Sequence, residues 1–340
     1  MSAGAAILAI LAAGGSVADR VMIVVAHPDD ETIGLGAQLS RFKDALLVHV
    51  TDGAPRDGHD SRNYGFVSVA DYAAAREAEL AAALRAGDAA RLRRLGLGIP
   101  DKEAWQDLAG LARCIAELLR ETQPACVFTH AYEGGHPDHD STAFAVHAAR
   151  RLTPAPPTII EIPYYHRDDG RLVTGEFLPQ LSPPLTASSR RKPGSIPHPF
   201  ERPTSESWPE FILGPAEGRT RGPGRQFSPA TVISLRVEER DRKQHMIDCF
   251  ATQLWLLEQF DLSTERFRVA PDYDFREPPH PGELHYETLG WGIVGADWRC
   301  AAADALQLLG LSPSPHCEER SGGATAQDRA RLLRSARNNG

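Results

Sequence analysis

A buried strand that runs straight into a polar motif constrains this chain more than any other feature. Residues Val21 to Ala26 form a continuous apolar run, β-branched at several positions, as in a strand that is covered on both faces. Similar runs span 45–50 and 125–129, with helical patterns between them. Strands that alternate with helices predict an α/β fold that is Rossmann-like and doubly wound, with a mostly parallel sheet and helices on both faces.

The remaining elements follow the same alternation. Residues 70–95 are alanine-rich and decorated with charges, which predicts one long helix. The apolar run 5–13 is about half the length of a membrane span, so we expect a helix packed on the core, with an atypical export signal as the alternative. We expect no integral membrane segment elsewhere. Further helices are predicted over 108–121, 140–151 and 238–260, and further strands over 158–165 and 231–236.

The length of 340 residues allows one large domain or two small ones. We expect a single catalytic domain over 1–315, with its core motifs in 20–150. The segment of about 179–224 is rich in proline, glycine and serine, which predicts a loop insertion. From 316 to 340 the chain has no apolar periodicity, so we expect a disordered tail.

The composition argues against several classes of protein. Hydrophobic residues make up 42% and charged residues 24%, and the net charge is −8, which does not favour a coiled coil or a nucleic-acid-binding surface. The five cysteines form no C-x-x-C pair, so neither a disulfide framework nor a cysteine-rich zinc knuckle is indicated. We therefore expect a cytoplasmic protein with a small-molecule partner, and the oligomeric state stays open.

The first chemical motif is His27-Pro28-Asp29-Asp30-Glu31, directly after the first predicted strand and at the start of a helix. Ligands of open α/β sheets bind at the carboxyl ends of the strands. His27 and Asp30 are three residues apart and can point to the same side of a helix, and imidazole with carboxylate suits zinc. A helix start alone explains Pro28 and Glu31, but it gives no reason for His27.

The second motif is Glu133-Gly134-Gly135-His136-Pro137-Asp138-His139-Asp140, which follows the predicted strand at 125–129 and also opens a helix. Two histidines three residues apart beside acids form a metal-binding group. A polar turn with one aspartate as a helix cap explains Asp138 or Asp140, but not both histidines. Because the two motifs follow parallel strands, they predict one shared metal site at one edge of the sheet.

Together these motifs resemble those of the LmbE/PIG-L family of zinc-dependent N-deacetylases. The resemblance is carried by the segments 26–31 and 132–139, and it covers about residues 20–150. Shorter similarities occur at Thr51-Asp52-Gly53, at Arg76-Glu77 and at 97–101.

The resemblance implies a ligand set and a reaction. His27, Asp30 and His139 would hold one Zn²⁺ per chain, with Fe²⁺ or Co²⁺ as alternatives. Asp29 would be the general base, and His136 the acid or the oxyanion partner. The implied reaction removes an N-acetyl group from an N-acetylglucosamine-like amino sugar or its conjugate, through metal-activated water. An amidase acting on a non-sugar conjugate is the alternative within the same chemistry.

Four further residues are candidate substrate contacts. Arg56 lies in the loop after Thr51-Asp52-Gly53, where a solvated arginine is the alternative, and Tyr132 either flanks the site or packs under its loop. Asp138 either orients His136 or caps the helix. His166 is a candidate for the wall of the cleft.

Two other classes of function are weighed against the hydrolase. The run from Gly34 to Leu39 resembles part of a dinucleotide fingerprint, but it lacks the third glycine and lies inside a predicted helix. A non-catalytic binding protein on the same scaffold would have no need of both Asp29 and His136.

Overall fold

The structure is a computed structural model that describes residues 2–178 and 229–311. The predicted insertion at about 179–224 and the predicted tail at 316–340 lie outside the described residues. The expectation of a single domain over 1–315 stays a prediction.

Strands and helices alternate along the described residues. The strands are β1 (Val17–Val25), β2 (Phe42–Thr51), β3 (Arg93–Ile99), β4 (Cys126–His130), β5 (Thr158–Ile162), β6 (Tyr165–Asp168), β7 (Arg171–Thr174), β8 (Thr231–Ser234) and β9 (Thr264–Val269). The helices are α1 (Ala3–Ala12), α2 (Asp30–Leu35), α3 (His59–Asn63), α4 (Val69–Ala86), α5 (Leu108–Thr122), α6 (Pro137–Arg151), α7 (Val237–Ile247), α8 (Leu254–Leu257) and α9 (Gly295–Leu308). Short 3₁₀ helices span Leu39–Arg41, Ala104–Asp107 and His285–Leu289.

One seven-stranded sheet has the order β3-β2-β1-β4-β5-β9-β8, and β6 pairs with β7 in a separate hairpin. Strands β1 to β5 are parallel, while β9 runs antiparallel to β5 and β8 antiparallel to β9. The chain adds β2 and β3 on one side of β1 and then returns to add β4 on the other side. In open α/β sheets, ligands bind at such a reversal, here outside the carboxyl ends of β1 and β4. The predicted α/β class with a mostly parallel sheet is confirmed.

Apolar layers cover both faces of the sheet, as the run in β1 predicts. Val21, Ile23 and Val25 point into one layer, which includes buried residues of α1, α4 and α7. Met22 and Val24 point into the other layer, with α5, α6 and α9. All five side chains are fully buried, so β1 is an interior strand held on both faces, and its carboxyl end has a fixed position.

The helix predicted over 70–95 is wrong in its second half. Helix α4 ends at Ala86, and Asp88 takes a left-handed backbone with φ +55°, which an α-helix of L-residues does not continue through. The chain then forms β3, an edge strand paired with β2. The helix predicted over 238–260 is likewise shorter, because α7 ends at Ile247 and only the short α8 follows.

The helix predicted near the N-terminus is present as α1, and its side chains Ile7, Leu8 and Leu11 are buried in the core. Among the described helices, none combines the length and apolar character needed to cross a membrane.

Candidate active site

Loops that follow three parallel strands bring buried polar side chains to one place. His27 lies just after β1, Asp101 just after β3, and the segment 136–139 after β4 at the start of α6. Helix α4 adds a buried arginine to the same place. We call these side chains the edge cluster, and its members are His27, Asp29, Asp30, Arg76, Asp101, His136, Asp138 and His139, each no more than 8% exposed.

The structure brings the three predicted metal ligands together. His27 Nδ1 lies 3.2 Å from His139 Nε2. The two oxygens of Asp30 lie at 3.3 Å, Oδ2 from His27 Nδ1 and Oδ1 from His139 Nε2. Two ring nitrogens and a carboxylate, drawn from segments far apart in the sequence, therefore face one another in a triangle.

This triangle fits a zinc ion by the chemistry and spacing of its donors. Zn–N distances of about 2.0–2.1 Å in a tetrahedral site place neighbouring donor atoms about 3.3 Å apart. Burial lowers the pKa of His139, which keeps its imidazole in the neutral form that binds a metal. Three such ligands would leave a fourth position for water, as in catalytic zinc sites.

The other nitrogen of His27 is held by two carboxylates. Asp101 Oδ1 lies 3.0 Å from His27 Nε2, and Asp138 Oδ2 lies 3.4 Å from it. Burial lowers the pKa of His27, but Asp101 and Asp138 outweigh this effect and hold it well above its usual range. The carboxylates on Nε2 orient the ring with Nδ1 toward the triangle, and a metal bound there would displace the proton that the raised pKa keeps on Nδ1. A second group of potential metal ligands comprises His27, Asp101, His136 and Asp138. The contacts of both carboxylates with His27 Nε2 explain this group without a second metal ion.

His136 caps the N-terminus of α6, and this contact sets its tautomer. Its Nδ1 accepts a hydrogen bond of 3.2 Å from the backbone N–H of Asp138. An imidazole nitrogen that accepts carries no proton, so the neutral ring bears its hydrogen on Nε2. Burial lowers the pKa of His136 well below its usual value. The ring is therefore a neutral donor at Nε2, 3.7 Å from Asp101 Oδ1.

Asp29 has the strained backbone and the perturbed acidity that are common at functional sites. Its φ is +154°, which is rare outside glycine. Burial raises the pKa of Asp29 to about 8, while Arg76 acts in the opposite direction. Arg76 Nη2 donates to Asp29 Oδ2 at 2.9 Å, and within the described parts of the chain no hydrogen bond reaches Oδ1. This second oxygen is the atom that can accept a proton.

Arg76 is fixed by the loops around it. Its Nη1 donates to the carbonyl of Gly53 at 2.8 Å, and Nη2 also donates to the carbonyl of Pro28 at 3.1 Å. The side chain is only 4% exposed. The segments Thr51-Asp52-Gly53 and 28–29 are thus tied to α4 through one guanidinium, which orients the carboxylate of Asp29.

The four candidate substrate contacts lie in different surroundings. Asp138 is in the edge cluster, but its oxygens accept from the backbone N–H groups of Lys102 at 2.6 Å and Ala104 at 3.1 Å. Arg56 is 67% exposed and pairs with Glu103 at 3.1 Å.

Tyr132 and His166 lie among other groups. The Tyr132 ring stacks on Trp298 in the apolar layer beneath α6 and α9, and its hydroxyl donates to the carbonyl of Glu277. His166 is buried, with its ring 6.5 Å from that of His280. The structure therefore favours a packing role for Tyr132 and gives neither residue a contact with the edge cluster.

Two members of the edge cluster, Asp101 and Arg76, lie in segments that resemble the family, but the interpretation of the sequence assigned them no role. Asp101 follows β3 as His27 follows β1, so a correct prediction of β3 would have placed it at the same edge. Arg76 lies within a helix, far along the chain from Asp29, and only the three-dimensional fold brings the two together.

Comparisons with known proteins point to the same part of the chain. The PIG-L family model, described as GlcNAc-PI de-N-acetylase, matches residues 22–150. The chain is 32% identical over 134 residues to the probable N-acetyl-alpha-D-glucosaminyl L-malate deacetylase 2 of Bacillus subtilis (strain 168), covering 38% of this chain and 59% of that protein. It is 35% identical over 145 residues to a 1D-myo-inositol 2-acetamido-2-deoxy-alpha-D-glucopyranoside deacetylase of Salinispora arenicola (strain CNS-205), covering 35% of this chain and 46% of that one. The chain thus spans about half the length of the curated relatives it matches.

Among solved structures, a deacetylase of teicoplanin biosynthesis matches with a TM-score of 0.49 and 18% identity, over 75% of this chain and 99% of that one. A deacetylase of the A40926 pseudoaglycone matches with a TM-score of 0.48 and 17% identity, over 74% and 97% of the two chains.

Proposed function

We propose that this chain, which carries a PIG-L (LmbE-like) family domain over residues 22–150, removes the N-acetyl group from an N-acetylglucosamine-like amino sugar or its conjugate. The observation that carries the proposal is the triangle of His27, Asp30 and His139 beside the strained and buried Asp29. The curated relatives are named as deacetylases of N-acetylated glucosamine derivatives, which supports a sugar substrate over another amide.

His27, Asp30 and His139 would hold the metal, which we propose to be zinc. A bound zinc ion supplies a Lewis acid that polarises the amide carbonyl and makes a water molecule more acidic. The neutral His139 and the carboxylate-held His27 suit this ion.

Asp29 would act as the general base through Oδ1. A carboxylate whose pKa is raised by burial is a stronger proton acceptor than an exposed one. As water adds to the amide carbon, Asp29 takes one of its protons, while Arg76 keeps Oδ2 in place. The carboxylic acid that results can then protonate the leaving nitrogen when the carbon–nitrogen bond breaks, which releases acetate and a free amine.

His136 would stabilise the oxyanion that develops on the amide oxygen. Its Nε2–H is a neutral donor whose orientation is fixed by the bond to the backbone of Asp138. A donor that is oriented in advance, in a site shielded from water, stabilises developing charge more than one that must reorient.

The proposal is tested by incubating the zinc-loaded protein with a panel of N-acetylated compounds and measuring the release of primary amine. The panel contains N-acetylglucosamine, its methyl glycosides, its inositol conjugate and acyclic N-acetyl amides. We expect turnover of the sugars, with about one zinc per chain by metal analysis. Asp29→Asn is the control that should bind zinc but release no amine, because it lacks the base. Turnover of the acyclic amides alone would instead favour the amidase alternative, and no release from any compound would refute the hydrolase.

A further inference from the structure

Two side chains beside the edge cluster have no part in the proposed chemistry. The ring of Trp291 lies against His136, with centroids 4.8 Å apart and planes at 60°. The ammonium of Lys102 lies over the same indole, 4.6 Å from its centroid. Lys102 directly follows Asp101, whose carboxylate contacts His27. Trp291 and Lys102 thus both lie next to the edge cluster.

Lys102 keeps a long side chain where the backbone favours glycine. Its φ is +68°, a left-handed conformation that is unfavourable for any residue but glycine. The backbone N–H of Lys102 donates to Asp138 Oδ2 at 2.6 Å, and a glycine would make this same bond. Because a glycine would keep this bond without the strain, the presence of a long cationic side chain here points to a function of that side chain.

The ammonium of Lys102 is held close to the site but is not saturated. Its nearest carboxylate oxygen, Asp60 Oδ2, lies at 3.9 Å, beyond hydrogen-bond distance. Across the described residues no hydrogen bond from Nζ is formed. Its contact with the indole is a cation–π interaction, which leaves its N–H donors for another partner.

Trp291 is presented by a loop whose backbone depends on glycine. Gly290 and Gly292 on either side have φ of +67° and +75°, and a Cβ at either position would meet no atom within 4 Å. These glycines therefore serve the turn rather than close packing. The turn leaves the indole only partly buried, between His136 and Lys102.

We propose that Trp291 and Lys102 form the wall that binds the sugar ring of the substrate and thereby select a pyranose over an acyclic amide. This inference rests on the proposed deacetylase function. A pyranose has an apolar face of C–H groups, which suits an indole, and a rim of hydroxyl groups, which suits an ammonium donor. Aromatic surface with a few fixed polar groups is the usual composition of small-molecule pockets. The charge of Lys102 is offset by nearby Asp60, and that of Arg56 is paired with Glu103. This balance favours a neutral ring hydroxyl over an anionic group as the partner of Lys102.

The first test compares two substrates, the methyl β-glycoside of N-acetylglucosamine and the acyclic N-acetylethanolamine. We expect Trp291→Ala to lower kcat/KM for the glycoside about tenfold, mainly through KM, and to leave the acyclic amide unchanged. Trp291→Phe should restore most of the loss. Trp255→Ala removes a tryptophan that is 63% exposed and has no contact with His136, so this matched control should affect neither substrate. Equal losses on both substrates, or a fall in kcat alone, would show that the indole only supports His136 and would overturn the proposal.

Lys102→Gly provides the second test, because it removes the ammonium and relieves the backbone. We expect a loss of about tenfold in kcat/KM for the glycoside, with a melting temperature equal to or above that of the wild type. An unchanged kcat/KM for the glycoside would overturn the role of Lys102.

A binding measurement separates this inference from the proposed function. Calorimetric titration of zinc-loaded Asp29→Asn with the methyl glycoside needs no turnover. If the wild type hydrolyses nothing but Trp291→Ala still weakens this binding about tenfold, the deacetylase proposal fails and the sugar wall stands. If the wild type is active and the affinity does not change, the wall fails alone, and absence of both binding and hydrolysis would refute both.

Discussion

Two buried clusters of charged groups in this molecule are built in opposite ways. The Lys243 cluster comprises Lys243, Glu265 and Gln38 with the backbone of Ile33 and Ala37. Lys243 Nζ donates to the Ile33 carbonyl at 2.6 Å and to Glu265 at 2.7 Å. Glu265 also accepts from Ala37 N and from Gln38, each at 2.9 Å. The two opposite charges thus compensate each other inside the protein.

The edge cluster has no such closure. His27, Asp30 and His139 turn their donor atoms toward one another, and Asp29 keeps one oxygen without a hydrogen bond from the described residues. Burying charge is costly unless it is paired. Closed pairing is what a structural ion pair requires, whereas converging donors are suited to a cation and a reacting molecule. Both clusters are buried, so burial alone does not distinguish a structural ion pair from a functional site. The difference is that in the edge cluster the metal-binding atoms converge on one point.

The largest effect is expected from breaking the triangle of donors. His139→Ala removes one of three ligands, so we expect loss of the bound zinc and a fall in amine release to the background rate. Metal analysis after dialysis, together with the amine assay, measures both. If this variant kept about one zinc per chain, His139 would not be a ligand. His147→Ala, on the same helix, is the matched control and should keep both zinc and activity.

The next effect is expected at the proposed base. Asp29→Asn keeps the size of the side chain but cannot accept a proton, so kcat should fall by about 10²–10⁴ while the zinc content is unchanged. Asp44→Asn makes the same chemical change at an exposed strand position paired with Arg20 and should leave kcat as it is. Turnover of Asp29→Asn close to that of the wild type would show that another group takes the proton.

A third prediction concerns the closed cluster. Lys243→Met leaves Glu265 buried without its cation, so the free energy of unfolding should fall by about 3–5 kcal/mol. The double variant Lys243→Met/Glu265→Leu should recover much of this loss, because no unpaired charge is left. Chemical denaturation measures the stability, and zinc content and kcat of the folded fraction should match the wild type. A loss of zinc in these variants would mean that the two clusters are not independent.

The smallest effect is expected at Arg76, which orients Asp29 without taking part in the chemistry. Arg76→Met should lower kcat about tenfold, by the loss of one charged hydrogen bond, and zinc should stay bound. Arg76→Lys retains the positive charge, so its kcat should lie between those of the wild type and Arg76→Met. If Arg76→Met were as inactive as Asp29→Asn, Arg76 would have a direct role in the reaction.

The sequence predicted the parts of the site that lie directly after apolar strands. His27, Asp30 and His139 follow runs whose burial is evident from composition, and parallel strands put their carboxyl ends at one edge. Asp101 was missed because β3 was predicted as the end of a helix, although Gly87 and Asp88 break that helix. The alternation of Arg93-Arg94-Leu95-Gly96 is weak, as expected for an edge strand with one exposed face.

For other parts of the site the sequence indicated no contact partner. Arg76 meets Asp29, and Trp291 meets His136, only after distant segments pack against the sheet. Tyr132 is the opposite case. Its position beside the second motif suggested a site residue, but its ring packs in the apolar layer against Trp298. Side chains within one motif can point to different layers, and the pattern alone does not decide between them.

The position of β1 between β2 and β4 also separates the halves of the site along the chain. His27 and His139 are 112 residues apart in the sequence, and they meet only after β4 has paired with β1 on the side opposite β2. A nascent chain that has formed β1, β2 and β3 would therefore have His27 and Asp30, two of the three proposed ligands, but not His139. If the three proposed ligands bind one metal ion, that ion would link the β1–β2–β3 part of the sheet to β4 and α6, so metal binding would require that this long-range pairing is complete.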